Sequence, residues 1–304
     1  MTWLQDSLGI RVPVVGAPMA GPADGRLAHA ISTAGGLGTI GVGGARDAEW
    51  IRAQAAVAGA GGTPYGLGLM AWVLERDPAQ LEAVLAVEPR PALVSVSFGA
   101  FAEPVRRLRE AGIRTATQVG NLADLRAALD AGVDLVVARG AEAGGHGRDE
   151  IGTLPLLQLV LAEAGDVPVL AAGGIIDRRG VAAVLAAGAA GAWVGTAFLG
   201  CVEAANTAEA RRQLFSASAT GYGRVFDVAQ GLAWPREFGG RSVRNAFFER
   251  WAGREDELGP EAAAEHAAGM ASGDWSVAHL YAGEGVAALS EERTAAEVVA
   301  SLTP

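Results

Sequence analysis

VPVLAAGGIIDRRGVAAVLAAGAAGAWVGTAFLG, residues 167–200, contains one full turn of the chain's repeating design and the start of the next. Val167 to Ala172 is a short apolar run closed by a glycine pair. DRRGVAAVLAAG follows with helical spacing, and Ala192 to Leu199 is a second apolar run. The reading is strand, tight turn, helix, strand. Val181 to Val202 carries no charge and matches the length of a membrane span of about 20 residues. Gly188 and Gly191 break it and the β-like WVGTAFL follows, so a buried helix and a buried strand are expected, and no membrane segment.

The same unit recurs in both directions at intervals of roughly 20 to 30 residues, the length of one βα unit. The apolar runs are Val12 to Ala20, Leu37 to Val42, Tyr65 to Met70, Ala92 to Phe98, Arg114 to Val119, Leu135 to Ala138, Val167 to Ala172 and Ala192 to Leu199. Between them lie segments with helical spacing, such as PAQLEAVLAV, FAEPVRRLREAG and NLADLRAALDAG. Near-continuous apolar strands alternating with helices imply a parallel sheet, and eight such units close a (β/α)8 TIM barrel. The rival is an open doubly wound sheet. It lacks its fingerprint: no early strand leads into G-x-G-x-x-G with an acidic residue about 20 positions later.

After the eighth strand the rhythm stops. Glu203 to Gly285, with TAEARRQLF and REDELGPEAAAEHAAG, is expected to form a helical insertion on the barrel rim. A last helix then returns, with Ser290 as its cap, Glu291 and Glu292 at its positive end, and Ala295, Val298, Val299 and Leu302 as an apolar stripe. The expected division is a barrel of residues 1–202 and 286–304 and a subdomain of residues 203–285.

Composition narrows the function. Of 304 residues, 50% are hydrophobic and 19% charged, which suits a globular chain with a large core. Glycine, at 43 of 304, runs near twice its usual share of roughly 7% and gathers at strand ends, where tight loops meet ligands. A formal charge of -10 excludes the basic face that a nucleic-acid binder needs. Cys201 is the only cysteine, so an intrachain disulfide or a cysteine-based metal cluster is ruled out. No metal site is expected. MTWLQDSLGI lacks the pattern of a signal peptide, and a cytoplasmic location is the expectation.

Two segments have the makings of a phosphate cradle: AAGGI, ending strand seven, and VGTAF in strand eight. Loops after these strands are where barrels commonly hold phosphate, because glycine exposes backbone N–H groups near a helix N-terminus. Gly173, Gly174, Gly195 and Thr196 are the candidate residues. Bare strand-to-helix turns are the competing reading, and two such turns on adjacent strands favour the ligand. In ARGAEAGGHGR, His146 stands at the end of strand six among glycines, where barrel catalytic residues sit, and can exchange a proton or hydrogen-bond an anion. His29, His266 and His279 fall in helix-like or insertion segments and are expected to be structural. Gln118 in TATQVG offers an amide donor and acceptor, and Met19 in GAPMAG a soft apolar surface. Of the tryptophans, Trp72 and Trp234 are candidate pocket walls.

GAPMAG, TQVG, ARGAEAGGHGR, AAGGI and VGTAF, in this order and at these strand ends, resemble the nitronate monooxygenase family from Val12 to Leu199. The resemblance implies FMN held without a covalent link, its phosphate at Gly173, Gly174, Gly195 and Thr196. Met19, Gln118 and Gly145 are then expected to contact the flavin, with Ala17, Pro18 and Ala172 completing the binding set. His146 is expected to face the substrate, and the implied reaction is oxidation of alkyl nitronates by O2. The chain departs from many relatives at Ala197, where they carry a larger or charged residue. The same motifs also resemble NAD(P)H-dependent FMN reductases of quinones or enoyl thioesters, which is the alternative function. A barrel that binds FMN or a phosphorylated metabolite without turnover is a third reading. The expected partners are a small-molecule substrate and O2, with a homodimer allowed.

Overall fold

The apolar runs become strands buried along nearly their whole length. The computed structural model describes residues 3–304. Its strands, in chain order, are β1 Val14–Gly16, β2 Thr39–Gly41, β3 Gly66–Met70, β4 Leu93–Ser97, β5 Thr115–Val119 and β6 Leu135–Arg139, then β7 Gly145–Gly147, β8 Val169–Ala172, β9 Gly191–Val194, β10 Thr220–Gly223 and β11 Gly239–Val243. Eight of them form one sheet in the order β1-β9-β8-β6-β5-β4-β3-β2. Its pairings are parallel, and a parallel bridge from Val15 to Leu37 brings β1 to the run that enters β2, closing the barrel. All eight expected strands are present.

The barrel has two apolar layers. Val15, Leu37, Leu93, Leu135, Val137 and Leu170 fill the interior, together with Leu4 and Leu8 from the helix Trp3–Leu8. The opposite strand faces pack against the surrounding helices through residues such as Val14, Ile40, Val94, Val136 and Val194. Only Met70 and Gln118 among the barrel-strand residues are less than buried, and both sit at the carboxyl ends of their strands.

Some local expectations need correction. Strand eight is shorter than its apolar run: β9 ends at Val194, and Thr196–Phe198 is a 3-10 turn, because Gly195 leaves the extended conformation. The last helix starts later than expected. Thr294, not Ser290, caps Ala295–Leu302, and its hydroxyl and Glu297 form a reciprocal capping box. Its expected stripe is buried as read.

The segment expected to be helical is mixed. It contains helices Ala208–Ser216, Val225–Ala229, Ala246–Trp251 and Pro260–Ser272, and also β10 and β11. These strands join β7 in an antiparallel sheet ordered β10-β11-β7. The barrel thus lends a strand to the rim: β7 belongs to the loop after β6, and its middle residue is His146. Among the described residues no helix is long and apolar enough to cross a membrane.

Candidate active site

A cavity of about 1110 Å³ opens over the carboxyl ends of the barrel strands. The wall from the loop after β1 includes Ala17, Pro18 and Met19, and Gln118 enters from the end of β5. Gly145 and His146 come from the loop after β6, Ala172, Gly173 and Gly174 from β8 and its turn, and Gly195 and Thr196 from the turn after β9. Every residue expected at the site therefore lines this one cavity.

The turns after β8 and β9 are built from positions that need glycine. Gly173 has φ +123° and Gly174 φ +67°, conformations that L side chains rarely adopt. A Cβ at Gly173 would lie 2.3 Å from Thr153 Oγ1. That hydroxyl is buried against Glu142, whose carboxylate accepts from Thr153 N–H at 2.7 Å and from its O–H at 2.8 Å. Among the described residues, no hydrogen bond occupies the amides of Gly173, Gly174, Gly195 or Thr196. Thr196 Oγ1 accepts from Gly283 N–H at 2.9 Å, so its own proton is available to a ligand.

The glycine loop after β6 is organised from below by Arg139. Its Nη2 donates to the carbonyls of Ala143, Gly144 and Gly145 at 3.0, 3.2 and 2.9 Å. Burial lowers this guanidinium to about 10, which still leaves it a cation at neutral pH. A Cβ at Gly147 would meet it at 2.2 Å, so the loop can close over Arg139 only with glycine there.

This loop delivers His146 to the edge of β11, opposite Gly240, and a further bridge sets Tyr281 opposite Ser242. Positions 240 and 242 share one face of a strand, so His146 and Tyr281 come up side by side, ring centroids 5.1 Å apart. Both address Asp227. His146 Nε2 lies 2.7 Å from Asp227 Oδ1, and Tyr281 donates to the same oxygen at 3.3 Å. Facing a carboxylate, Nε2 is the donor and Nδ1 carries the free lone pair. Burial and the Asp227 charge push Tyr281 well above the ordinary phenol range, so it stays a donor. Asp227 Oδ2 is buried with no partner among the described residues, and an orphaned carboxylate oxygen marks a site organised for more than folding.

An aromatic wall completes the cavity. The His146 ring stacks on Trp234, which is also 5.2 Å from Trp72 and 5.3 Å from Phe98. Phe98 holds φ +68°, a strained state for a bulky residue. Its carbonyl accepts from Trp72 N–H at 3.1 Å, which ties the strain to this wall.

Asp227, Tyr281 and Arg139 escaped the sequence reading. Asp227 is 81 residues from His146 in a helix too short to show a pattern, and only the β7 to β11 pairing brings the two together. Arg139 was visible as a charge ending an apolar strand, the one signal that could have been followed. His279, expected to be structural, lines the cavity.

The chain is similar to known proteins over nearly its whole length. A family model described as nitronate monooxygenase matches residues 74–304. A nitronate monooxygenase of Paraburkholderia phytofirmans is 35% identical, over 97% of this chain and 92% of its own length. The structure of nitroalkane oxidase from Streptomyces ansochromogenes superposes with a TM-score of 0.83 at 32% identity, covering 98% of this chain and 96% of that one. FabK from Thermotoga maritima superposes at 0.84 with 27% identity, covering 99% and 94%.

Proposed function

This chain belongs to the nitronate monooxygenase family, and from that premise we propose that it is a cytoplasmic FMN enzyme that oxidises alkyl nitronates with molecular oxygen. The observation that carries the reading is the His146 to Asp227 pair, 2.7 Å apart, in an apolar cavity whose far turns present unoccupied backbone amides.

The residues present suit FMN. The amides of Gly173, Gly174, Gly195 and Thr196 would hold its phosphate, aided by the Thr196 hydroxyl, because glycine leaves the backbone open to close approach. Met19, Gln118 and Gly145, with Ala17, Pro18 and Ala172, would meet the rest of the group. FMN, when bound, supplies the electron acceptor for nitronate oxidation.

The chain's own part is binding and proton control. With Nε2–H committed to Asp227, Nδ1 of His146 is the atom that meets the substrate. A protonated ring donates from Nδ1 to a nitronate oxygen, and the Asp227 charge balances the imidazolium. Where a neutral nitroalkane enters, Nδ1 takes the proton from the carbon beside the nitro group. The C–H electron pair then moves onto the nitro oxygens, giving the nitronate. Trp234 fixes the plane of the ring and, with Trp72 and Phe98, keeps water from the reacting atoms. We also treat residues 203–285 as a rim subdomain, which is supported by the separate packing of Val225, Phe226, Phe247, Phe248 and Ala262.

The test is an anaerobic visible spectrum of the purified protein titrated with ethyl nitronate and, separately, with NADH. Bleaching by the nitronate alone is the expected result. Bleaching by NADH alone would move the chain to the FMN reductases, and a protein that takes up no flavin after FMN is added would overturn the cofactor assignment.

A further inference from the structure

A second imidazole reaches the same cavity. His279 precedes the stretch that docks along β11, where Val243 N–H donates to Leu280 O at 2.8 Å and Ala282 N–H to Arg241 O at 3.3 Å. In an extended stretch, residues two apart point the same way, and His279 and Tyr281 both line the cavity with rings 5.1 Å apart. His279 and His146 therefore flank Tyr281 and its partner Asp227.

Behind His279 lies His266, 2% exposed, on the helix Pro260–Ser272. Its Nε2 is 3.1 Å from His279 Nδ1, with the rings 16° from parallel. Phe226 and Phe247 pack against this pair. One proton lies in the N to N contact, so each ring's tautomer sets the other's. His279 Nε2 has no partner among the described residues, so it is the atom left for a ligand. Burial, reinforced by His266 and His146 nearby, lowers His279 to about 4, and burial lowers His266 as well, so both rings are neutral at working pH. The other titratable neighbours, Tyr281 and the carboxylate of Asp227 beyond it, leave it no closer charge partner.

A buried neutral pair of this kind responds to what enters the cavity. An anion selects the state in which His266 Nε2–H donates to His279 Nδ1, which leaves the single ring proton of His279 on Nε2. We infer that His279 is a substrate-binding residue that donates from Nε2–H to a nitronate oxygen, and that His266 is the positioning residue that sets its tautomer. This inference rests on the nitronate reading. A nitronate offers two oxygens, and His146 accounts for one of them.

The experiment compares His279→Phe and His279→Gln in the flavin-loaded enzyme with ethyl nitronate, and records nitrogen NMR of histidine-labelled wild-type protein titrated with nitrate, a planar oxyanion that does not react. Loss of a hydrogen bond to an anion should raise KM for the Phe variant about tenfold to a hundredfold, with kcat within about threefold. The Gln variant, which keeps a neutral donor at similar reach, should recover KM to within about threefold of wild type. Nitrate should shift the protonated Nε2 signal of His279. An unchanged KM in the Phe variant, or a His279 signal indifferent to nitrate, would overturn the inference. If the Phe variant does not fold, the Gln variant and the wild-type titration decide. A wild type that turns over no nitronate would sink the proposed function instead, and the nitrate titration would still report on His279.

Discussion

The imidazole of His146 lies flat on the indole of Trp234, ring centroids 3.7 Å apart and planes within 1°. Stacking fixes the plane of the ring, and the contact from Nε2 to Asp227 Oδ1 fixes its rotation within that plane. The remaining nitrogen is thereby aimed without help from the substrate, which is the preorganisation that proton transfer and anion binding both need.

Asp227→Asn keeps the shape of that arrangement and removes the charge that balances an imidazolium. Turnover of neutral nitroethane, which needs a proton removed, should fall by about 10² to 10⁴-fold. Turnover of ethyl nitronate should fall far less, by about tenfold, and flavin content should not change. Parallel steady-state assays on the two substrates check this, and equal losses on both would remove the proton-transfer role from the pair.

Gly173 and Gly174 adjoin in sequence but should differ in their tolerance of a methyl group. At Gly174 the added Cβ finds Glu142 Cβ at 3.6 Å, so Gly174→Ala bears only the left-handed backbone cost of about 1 to 2 kcal/mol. At Gly173 the Cβ lies 2.3 Å from Thr153 Oγ1, a hydroxyl pinned by Glu142. Backbone strain and overpacking then act together, and Gly173→Ala should cost about 3 kcal/mol or more and release flavin. Urea unfolding of both variants, with the flavin retained after gel filtration, measures the contrast. A Gly173→Ala protein no weaker than Gly174→Ala would mean that the turn relaxes freely.

The barrel was legible because each strand is an apolar run buried on both faces and stopped by glycine or a polar turn, a pattern that survives without knowledge of any partner. The rim sheet was not, because TGYG, GGRSV and GHG have no apolar alternation and become strands only by pairing with one another. The site divides the same way. Gly173, Gly174 and Gly195 stand at strand ends that the barrel itself places, and His146 in the loop that leaves β6, so their neighbourhood follows from the repeat. Asp227, Tyr281 and His279 reach the cavity through the rim, whose register lies in contacts between separate segments, such as Tyr222 to Gly147 and Ser242 to Tyr281, and not in any local run.

The depressed His279 gives stability a pH dependence of known sign. Folded, it protonates at about 4; unfolded, near its ordinary 6.5. Between these values the unfolded chain holds a proton that the folded chain lacks, so stability is lost as pH falls from about 6.5 towards 4. The slope from this group is at most about 1.4 kcal/mol per pH unit, and His266, lowered as well, acts in the same direction. Urea midpoints at pH 7, 6 and 5 should therefore fall more steeply in wild type than in His279→Phe. Parallel slopes would mean that His279 titrates alike in both states.

The cavity's apolar side makes a claim about the substrate's tail. Trp72, Trp234 and Phe98 form a continuous wall, and towards the rim Leu232 and Met270 line the same cavity while remaining 39% and 42% exposed. Large apolar side chains left open beside a site are the surface that a ligand's hydrocarbon would cover. Each methylene moved from water onto such a wall is worth about 0.8 kcal/mol, or roughly fourfold in kcat/KM. A series of 1-nitroalkane nitronates from ethyl to hexyl should therefore climb by about that factor per carbon until the wall is covered. Trp72→Ala should flatten the climb. A series already flat in wild type would place the substrate's tail elsewhere, and the aromatic wall would then serve only to hold His146 and exclude water.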